Sequence, residues 1–245
     1  MTKIGLIQTI SHTSDQKAIS DVSKILRKLA KKETEIVCLP EQWLKNNHVS
    51  DWDFQFLEFK KIAKDFGMTI IPGAFYETKK GKTSIVSPII DPKGEIIGKQ
   101  EKIHPFDYEK DNVKPGKEAK IFKTACKFGV VICYDMVFPK VANTLARKGA
   151  QILLSPSRIV KRGIEPWQMY VQVRALENRI PILAANVTNH RFGGNSLIVD
   201  LAENNKVVTT KITKLSGEQG ISREFNLKKF ETIRKNRFSD SNKFQ

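Results

Sequence analysis

The chain has 245 residues, 40% of them hydrophobic, and a formal net charge of +16 at pH 7. This hydrophobic share is enough for a folded core and excludes an intrinsically disordered chain. No run approaches the roughly 18 apolar residues of a membrane span. The three cysteines and four histidines are scattered, with neither a disulfide framework nor metal-ligand spacing. We therefore expect a cytoplasmic protein with no membrane contact, no metal and no cofactor.

The positive charge has two interpretations. It could attract nucleic acid or another acidic partner, or it could be ordinary solvated surface charge. The lysines cluster in a predicted helix within residues 16–32, in the turn 79–82 and along the C-terminal tail. No basic stretch is interleaved with aromatic residues, as a base-stacking surface would be. We favour solvated charge without a nucleic-acid partner, and a non-catalytic binding protein with a basic surface is the alternative of another class.

Strand-like and helical patterns alternate in the first half of the chain. Apolar periodicity and end signals predict, in chain order, a strand at 3–9, a helix at 15–32, a strand at 35–39, a helix at 50–66, and strands at 68–76, 82–90 and 95–103. Residues 104–118 are polar and punctuated by proline and glycine, which predicts a loop.

The second half continues the alternation. The patterns predict strands at 120–123 and 128–133, a helix at 138–148, a strand at 151–155, a helix at 165–179, a strand at 182–187, and a strand pair at 196–200 and 206–210. Hairpins intrude among the helices, so a layered α/β sandwich of mixed sheets fits better than an all-parallel sheet. Without a repeat or linker, residues 1–245 are expected to form one domain with a basic tail from about residue 227.

Three chemically useful residues lie at or near the ends of predicted strands. Glu41 follows the strand at 35–39, Lys102 lies near the end of the next strand group, and Cys133 ends a third. Ligand sites in α/β sheets lie beyond the carboxyl ends of strands. Singly, each residue could be a surface charge or a buried core thiol. Together they suggest a thiol nucleophile with a carboxylate base and a cation that stabilises an oxyanion.

Six short motifs, in this order, resemble those of the carbon–nitrogen hydrolase (nitrilase) superfamily, in its amidase or omega-amidase-like branch. They are LPE at 39–41, EKIH at 101–104, ICYD at 132–135, RALEN at 174–178, AAN at 184–186 and NSLIVD at 195–200. The resemblance extends over roughly residues 3–210. It implies a four-layer α-β-β-α sandwich, and it implies that Glu41, Lys102 and Cys133 are a catalytic triad.

The resemblance also implies a second glutamate in the loop after the lysine. Glu109 is the best candidate in this sequence and Asp111 is its rival. Its expected role is to orient Lys102 and the leaving amine. The backbone N–H of Tyr134 is expected to help Lys102 hold an oxyanion.

Several residues are expected around the substrate. Tyr134, Met136 and the loop containing Ser157 and Arg158 are predicted to line the pocket. Related enzymes often carry an aromatic residue in that loop, and this difference raises the hypothesis that Arg158, or a lysine at the rim, binds a substrate carboxylate. His104 is either a hydrogen-bonded loop residue or a substrate contact.

The Cys-Tyr-Asp sequence is more similar to amidases than to true nitrilases, which more typically carry Cys-Trp-Glu. The resemblance therefore implies hydrolysis of a small linear amide, with the omega-amide of a dicarboxylate as one candidate, through a cysteine thioester that releases ammonia. N-carbamoyl compounds come second and nitriles third. Family members commonly assemble, so a homodimer or higher homo-oligomer is expected.

Overall fold

The computed structural model describes residues 1–241, which contain two β-sheets and six α-helices. The strands are β1 Thr2–Ile10, β2 Ile36–Cys38, β3 Thr69–Ile71, β4 Phe75–Lys79, β5 Lys82–Ile90, β6 Ile96–Glu101, β7 Ile121–Lys123, β8 Lys127–Val130, β9 Ile152–Pro156, β10 Ile182–Ala185, β11 Val187–Thr188, β12 Leu197–Asn204, β13 Val207–Lys214 and β14 Gln219–Phe225. The helices are α1 Asp15–Ala30, α2 Trp52–Gln55, α3 Leu57–Phe66, α4 Pro139–Arg147, α5 Ile164–Asn178 and α6 Glu231–Ser241.

Each sheet has a parallel centre with antiparallel strands beside it, and the short edge strand β11 pairs in parallel with β1. The eight-stranded sheet has the order β11-β1-β2-β3-β5-β4, with β14 also paired to β1 and β6 to β5. Within it β1, β2 and β3 are parallel. The six-stranded sheet has the order β13-β12-β10-β9-β8-β7, in which β8, β9 and β10 are parallel. The parallel centres bring the carboxyl ends of β2, β8 and β9 to the region where Glu41, Cys133 and Ser157 lie.

Alternation along the strands builds three apolar layers. In β2, Ile36 and Cys38 face the other sheet, whereas Val37 faces the helices α1 and α3. In β9, Leu154 belongs to the layer between the sheets and Leu153 to the layer beneath α4 and α5. The order of layers is therefore helices, sheet, sheet, helices, and the predicted four-layer α-β-β-α sandwich is confirmed.

The region at 50–76 is more broken than its pattern predicted. The predicted helix at 50–66 is two helices, α2 and α3, which Phe56 separates. Asp51 caps α2 by accepting a hydrogen bond from Phe54 N at 3.0 Å. The predicted strand at 68–76 is interrupted at Gly73, whose φ is +114°. A Cβ there would lie 2.1 Å from the Pro40 carbonyl oxygen, so only glycine allows this close approach.

The C-terminal tail, as far as it is described, folds onto its own chain. Its helix α6 carries Arg234, which is buried and donates hydrogen bonds to the carbonyls of Arg179 and Ala150, just beyond α5 and α4. The antiparallel strand β14, which pairs along β1 from Thr2 to Gln8, was missed because residues 219–225 lack an apolar alternation. Residues 242–245 of the predicted tail lie outside the described residues.

Candidate active site

Backbone hydrogen bonds fix the position of each residue of the predicted triad. Glu41 lies just beyond β2, and its N–H donates to the Ser157 carbonyl at 3.2 Å, which ties it to the end of β9 in the other sheet. Lys102 follows β6, and its N–H donates to the Ile85 carbonyl at 2.8 Å. Cys133 begins a 3₁₀ turn, Cys133–Val137, shortly after β8. The site therefore lies between the two sheets, with the base and the lysine on one and the thiol on the other.

Lys102 is the centre of a buried ion cluster. Its Nζ lies 2.9 Å from Glu41 Oε1 and 2.8 Å from Glu109 Oε2. All three side chains are almost completely shielded from solvent. Burial alone would lower the pKa of Lys102, but the charges of Glu41, Cys133 and Glu109 raise it well above its ordinary value. Lys102 is therefore a permanent ammonium with two carboxylate partners.

Glu109 reaches Lys102 from a short helical turn, Asp107–Glu109, in the loop after β6. Its Oε2 also accepts a hydrogen bond from Phe106 N at 2.7 Å, which fixes the turn. Burial and the charge of Glu41 raise the pKa of Glu109, although Lys102 and the Phe106 N–H act in the opposite direction. Asp111, the rival candidate, is exposed, so Glu109 is the second glutamate at this lysine.

Cys133 lies in a strained turn close to Glu41. Its φ is +47°, in the left-handed region that non-glycine residues adopt at a cost of about 1–3 kcal/mol. Cys133 is 7% exposed, and its thiol lies close enough to Glu41, Lys102 and the backbone N–H of Arg158 for each of them to act on its pKa. Burial and the charge of Glu41 raise the pKa of the thiol, whereas Lys102 and the Arg158 N–H lower it in part. The net effect on the pKa favours the neutral thiol over the thiolate, and Glu41 is the carboxylate nearest in effect to it.

The loop after β9 contributes its backbone to the site. Ser157 is completely buried, and its hydroxyl pairs with the Ser155 hydroxyl at 3.1 Å, while its carbonyl holds Glu41 N. Arg158 is half-buried: its Nη1 lies 3.5 Å from the Gln42 carbonyl and its guanidinium lies 4.8 Å from the centre of the Phe192 ring. Among residues 1–241, no carboxylate forms a salt bridge with Arg158.

The structure gives the surroundings of three further residues that were expected around the substrate. His104 is held by Asp135: its N–H and Nδ1 lie 2.7 and 2.9 Å from Asp135 Oδ1, and its ring stacks on Phe138 at 3.8 Å. Met136 is fully buried in the layer beneath α4 and α5, so the expectation that it lines the pocket is wrong. Tyr134 is half-buried and packs edge-on against Phe106 and Phe138.

Sequence reasoning missed two residues near the triad. Gln42 is buried, has a left-handed φ of +46°, and its Nε2 makes no hydrogen bond to the described part of the chain. Tyr76 lies near Gln42, Glu109 and Arg158; burial raises its pKa, and Gln42 and Arg158 partly oppose this rise. The only sequence signal was that Gln42 directly follows Glu41. Tyr76 gave no sequence signal, because it reaches the site across the sheet.

Two kinds of feature are absent from residues 1–241. No group of three or more histidine, cysteine, aspartate or glutamate side chains there is arranged to hold a metal ion. No helix in that range is both long enough and apolar enough to cross a bilayer.

The sequence and the fold of this chain are similar to those of known proteins. A family model described as carbon-nitrogen hydrolase matches residues 3–204. The chain is 28% identical over 204 residues to the omega-amidase NIT2-B of Xenopus laevis, covering 75% of this chain and 74% of that protein. The crystal structure of Saccharomyces cerevisiae Nit3, a member of branch 10 of the nitrilase superfamily, superposes with a TM-score of 0.82 at 25% identity over 96% of this chain and 93% of that one. A carbon-nitrogen hydrolase from Helicobacter pylori has the same fold, with a TM-score of 0.80 at 23% identity and coverage of 96% and 92%.

Proposed function

Because the chain belongs to the carbon–nitrogen hydrolase family, we propose that it hydrolyses a small linear amide through a thioester on Cys133. One observation carries the proposal: the Lys102 ammonium lies within hydrogen-bond distance of two buried carboxylates, and both Lys102 and one of these carboxylates, Glu41, are close enough to the Cys133 thiol to act on its pKa. The likeness to an omega-amidase supports an amide as the substrate.

In the first step Glu41 takes the thiol proton while the sulfur attacks the amide carbonyl carbon. The raised pKa of Cys133 means that little free thiolate exists at neutral pH, so proton removal and attack are coupled. The carbonyl oxygen becomes an oxyanion, which the Lys102 ammonium and the backbone N–H of Tyr134 stabilise. Lys102 is already positioned and desolvated, so it needs no reorganisation during the reaction.

In the second step the tetrahedral intermediate breaks its C–N bond. Glu41 returns the proton to the nitrogen, ammonia leaves, and the acyl group stays on Cys133 as a thioester. Glu41 then takes a proton from water, the resulting hydroxide attacks the thioester, and the thiol is restored with release of a carboxylic acid. Glu109 keeps Lys102 oriented throughout, at 2.8 Å, and adds a negative charge that favours its protonated form.

We propose that the acyl chain ends in a carboxylate that Arg158 binds. Arg158 lacks a carboxylate partner in the described residues, and the neighbouring Gln42 has a buried amide donor without an acceptor. Tyr76 adds a hydroxyl beside both. A substrate carboxylate would satisfy these donors, whereas an apolar chain would leave a buried amide unpaired at a cost of about 1–3 kcal/mol.

The substrate preference is tested with Arg158→Met. We expect KM for omega-amides of dicarboxylates to rise about 10- to 100-fold, while KM for neutral aliphatic amides changes less than about threefold. Equal losses on both classes would refute an anion subsite at Arg158.

The activity itself is tested by ammonia release from glutamine, 2-oxoglutaramate, short aliphatic amides, N-carbamoyl amino acids and simple nitriles. We expect turnover of at least one linear amide, and a loss of about 10²–10⁴-fold in Glu41→Gln, which keeps the shape but removes the base. Activity only on N-carbamoyl compounds or nitriles would change the substrate class. No release at all, together with salt-sensitive binding to heparin or DNA, would favour a binding protein.

We also propose a homo-oligomer in the cytoplasm. The exposed side of α5 carries Met169, Tyr170 and Val173, an apolar row that a second copy could cover. Cys38, Cys126 and Cys133 are all unpaired, which suits a reducing compartment. Sedimentation of the wild-type protein and of Val173→Glu tests the interface: we expect the variant to be the smaller species.

A further inference from the structure

One buried carboxylate outside the triad joins the lysine segment to the nucleophile turn. Asp135 lies two residues after Cys133 and is 1% exposed. Its Oδ2 accepts a hydrogen bond from Ile103 N at 3.1 Å, and its Oδ1 accepts one from His104 N at 2.7 Å. Its Oδ1 also lies 2.9 Å from His104 Nδ1. Both oxygens are therefore engaged by the two residues that directly follow Lys102.

These contacts cross the boundary between the two sheets. Lys102 follows β6 of the eight-stranded sheet, and its backbone is bonded to Ile85 and Gly116 at that side. Cys133 follows β8 of the six-stranded sheet. The Lys102 ammonium and the Cys133 thiol therefore belong to different sheets, and the distance between them depends on how the two sheets are held together. Asp135 connects the backbones of those layers directly beside the reacting groups.

The His104 ring completes the connection. Because a carboxylate only accepts, Nδ1 must carry the hydrogen, which fixes the tautomer of the neutral ring. The ring also stacks on Phe138 at 3.8 Å, and Phe138 N donates to the Asp135 carbonyl at 3.2 Å at the end of the same turn. The ring is therefore held from two sides by the turn that begins at Cys133.

We propose that Asp135 and His104 are positioning residues that set the separation of Lys102 from Cys133. We call the Asp135 carboxylate, together with Ile103 N, His104 N and the His104 ring, the Asp135 clasp. The clasp keeps the Lys102 ammonium and the Cys133 thiol at a fixed separation. Neither Asp135 nor His104 takes part in proton transfer. A misplacement of about 1 Å at a reacting group can cost about 100-fold in rate. The clasp therefore acts on kcat and leaves substrate affinity nearly unchanged.

The first test is Asp135→Asn. The amide keeps the size of the side chain but turns one acceptor into a donor that faces a backbone N–H. We expect kcat to fall about 30- to 100-fold with KM within about threefold. Glu77→Gln is the matched control, because Glu77 is also a buried carboxylate, bonded to Trp52 and Lys99 away from the triad. We expect it to lower the melting temperature with little change in kcat.

His104 variants separate positioning from chemistry. His104→Asn keeps an N–H donor close to the position of Nδ1, so we expect kcat within about threefold and an unchanged pH profile, whereas His104→Ala loses about tenfold. If His104 transferred protons, the asparagine variant would be as impaired as the alanine variant. That result, or a wild-type kcat in Asp135→Asn, would overturn the proposal.

A second readout does not depend on the proposed amide substrate. Lys102 lowers the pKa of the Cys133 thiol, so a looser clasp should weaken this influence and slow alkylation of Cys133 by iodoacetamide. We expect a rate several-fold below wild type in Asp135→Asn and a wild-type rate in Glu77→Gln, by peptide mass spectrometry. An alkylation rate at or above wild type would overturn the clasp. If the wild-type protein hydrolysed no amide while this difference held, the proposed function would fail and the clasp would stand.

Discussion

Cys133 and Cys38 show how the same residue type has opposite surroundings within one apolar layer. Both lie between the sheets, both are buried, and burial raises the pKa of both thiols. Cys38 lies in the regular strand β2 among apolar side chains, and its thiol hydrogen-bonds with the Leu39 carbonyl at 3.6 Å. Cys133 lies in a left-handed turn beside a carboxylate, an ammonium and a backbone N–H. Burial therefore does not distinguish a reactive thiol from a core thiol, but the neighbouring charges and the strained turn do.

The largest expected difference comes from removing each thiol. Cys133→Ala should lower kcat at least about 10⁴-fold without unfolding the protein, because it removes the sulfur that forms the thioester. Cys38→Ala is the matched variant, and it should keep kcat within about threefold while the free energy of unfolding falls by about 1 kcal/mol. Ammonia release and denaturant unfolding measure both. A comparable loss of activity in the two variants would contradict the distinction between Cys133 as a reactive thiol and Cys38 as a core thiol.

Removing the Lys102 ammonium should make the reactivity of the Cys133 thiol resemble that of the Cys38 thiol. Lys102→Met should lower kcat about 10²–10³-fold, as loss of an oxyanion donor does elsewhere. It also leaves Glu41 and Glu109 without their counter-ion, so we expect a loss of stability of about 3–5 kcal/mol. Iodoacetamide should then label Cys133 almost as slowly as Cys38.

Lys99→Met is the control for this variant. Lys99 lies in β6, the strand that Lys102 directly follows, but pairs with Glu77 at 2.6 Å, away from the thiol. We expect it to retain wild-type kcat and wild-type labelling of Cys133. If Lys102→Met kept more than a tenth of the wild-type kcat, the ammonium would not be the oxyanion partner.

The smallest effect is the pH dependence of stability. Burial raises the pKa of Cys38 in the native state, and it raises the pKa of Cys126 to about 12. In the unfolded state a cysteine thiol has a pKa of about 8.5. Above that pH the unfolded state has lost protons that the native state keeps, so stability falls as pH rises, by up to about 1.4 kcal/mol per pH unit for each thiol. Denaturant unfolding at pH 7.5, 8.5 and 9.5 should give a steeper decline for wild type than for Cys38→Ala. Equal declines would show that Cys38 is not buried as described.

The fold was largely predictable from the sequence because apolar period and turn signals are local. The alternation of strands and helices, with hairpins among them, indicated mixed sheets with outer helices. Strand β14 was missed because its half-exposed residues are stabilised by pairing with β1 rather than by their own pattern. The break at Phe56 was missed because the apolar residues continue through it.

Only those residues of the site that residue type and order along the chain indicate could be predicted from the sequence. The ends of three strands, with the resemblance to a known family, pointed to Glu41, Lys102 and Cys133. The choice between Glu109 and Asp111 needed the loop conformation, which places only Glu109 on Lys102. The Asp135 contacts join positions 31 and 32 residues apart, and such pairs depend on how the sheets pack.

The covalent intermediate is the most direct test of the mechanism. The wild-type protein would be mixed with a hydrolysable amide, quenched in acid within one turnover, and digested for mass spectrometry. We expect the mass of the acyl group on the peptide that contains Cys133, and none on the peptides that contain Cys38 or Cys126. Turnover without an acyl adduct in this single-turnover window, or an adduct on either of the other cysteines, would contradict hydrolysis through Cys133.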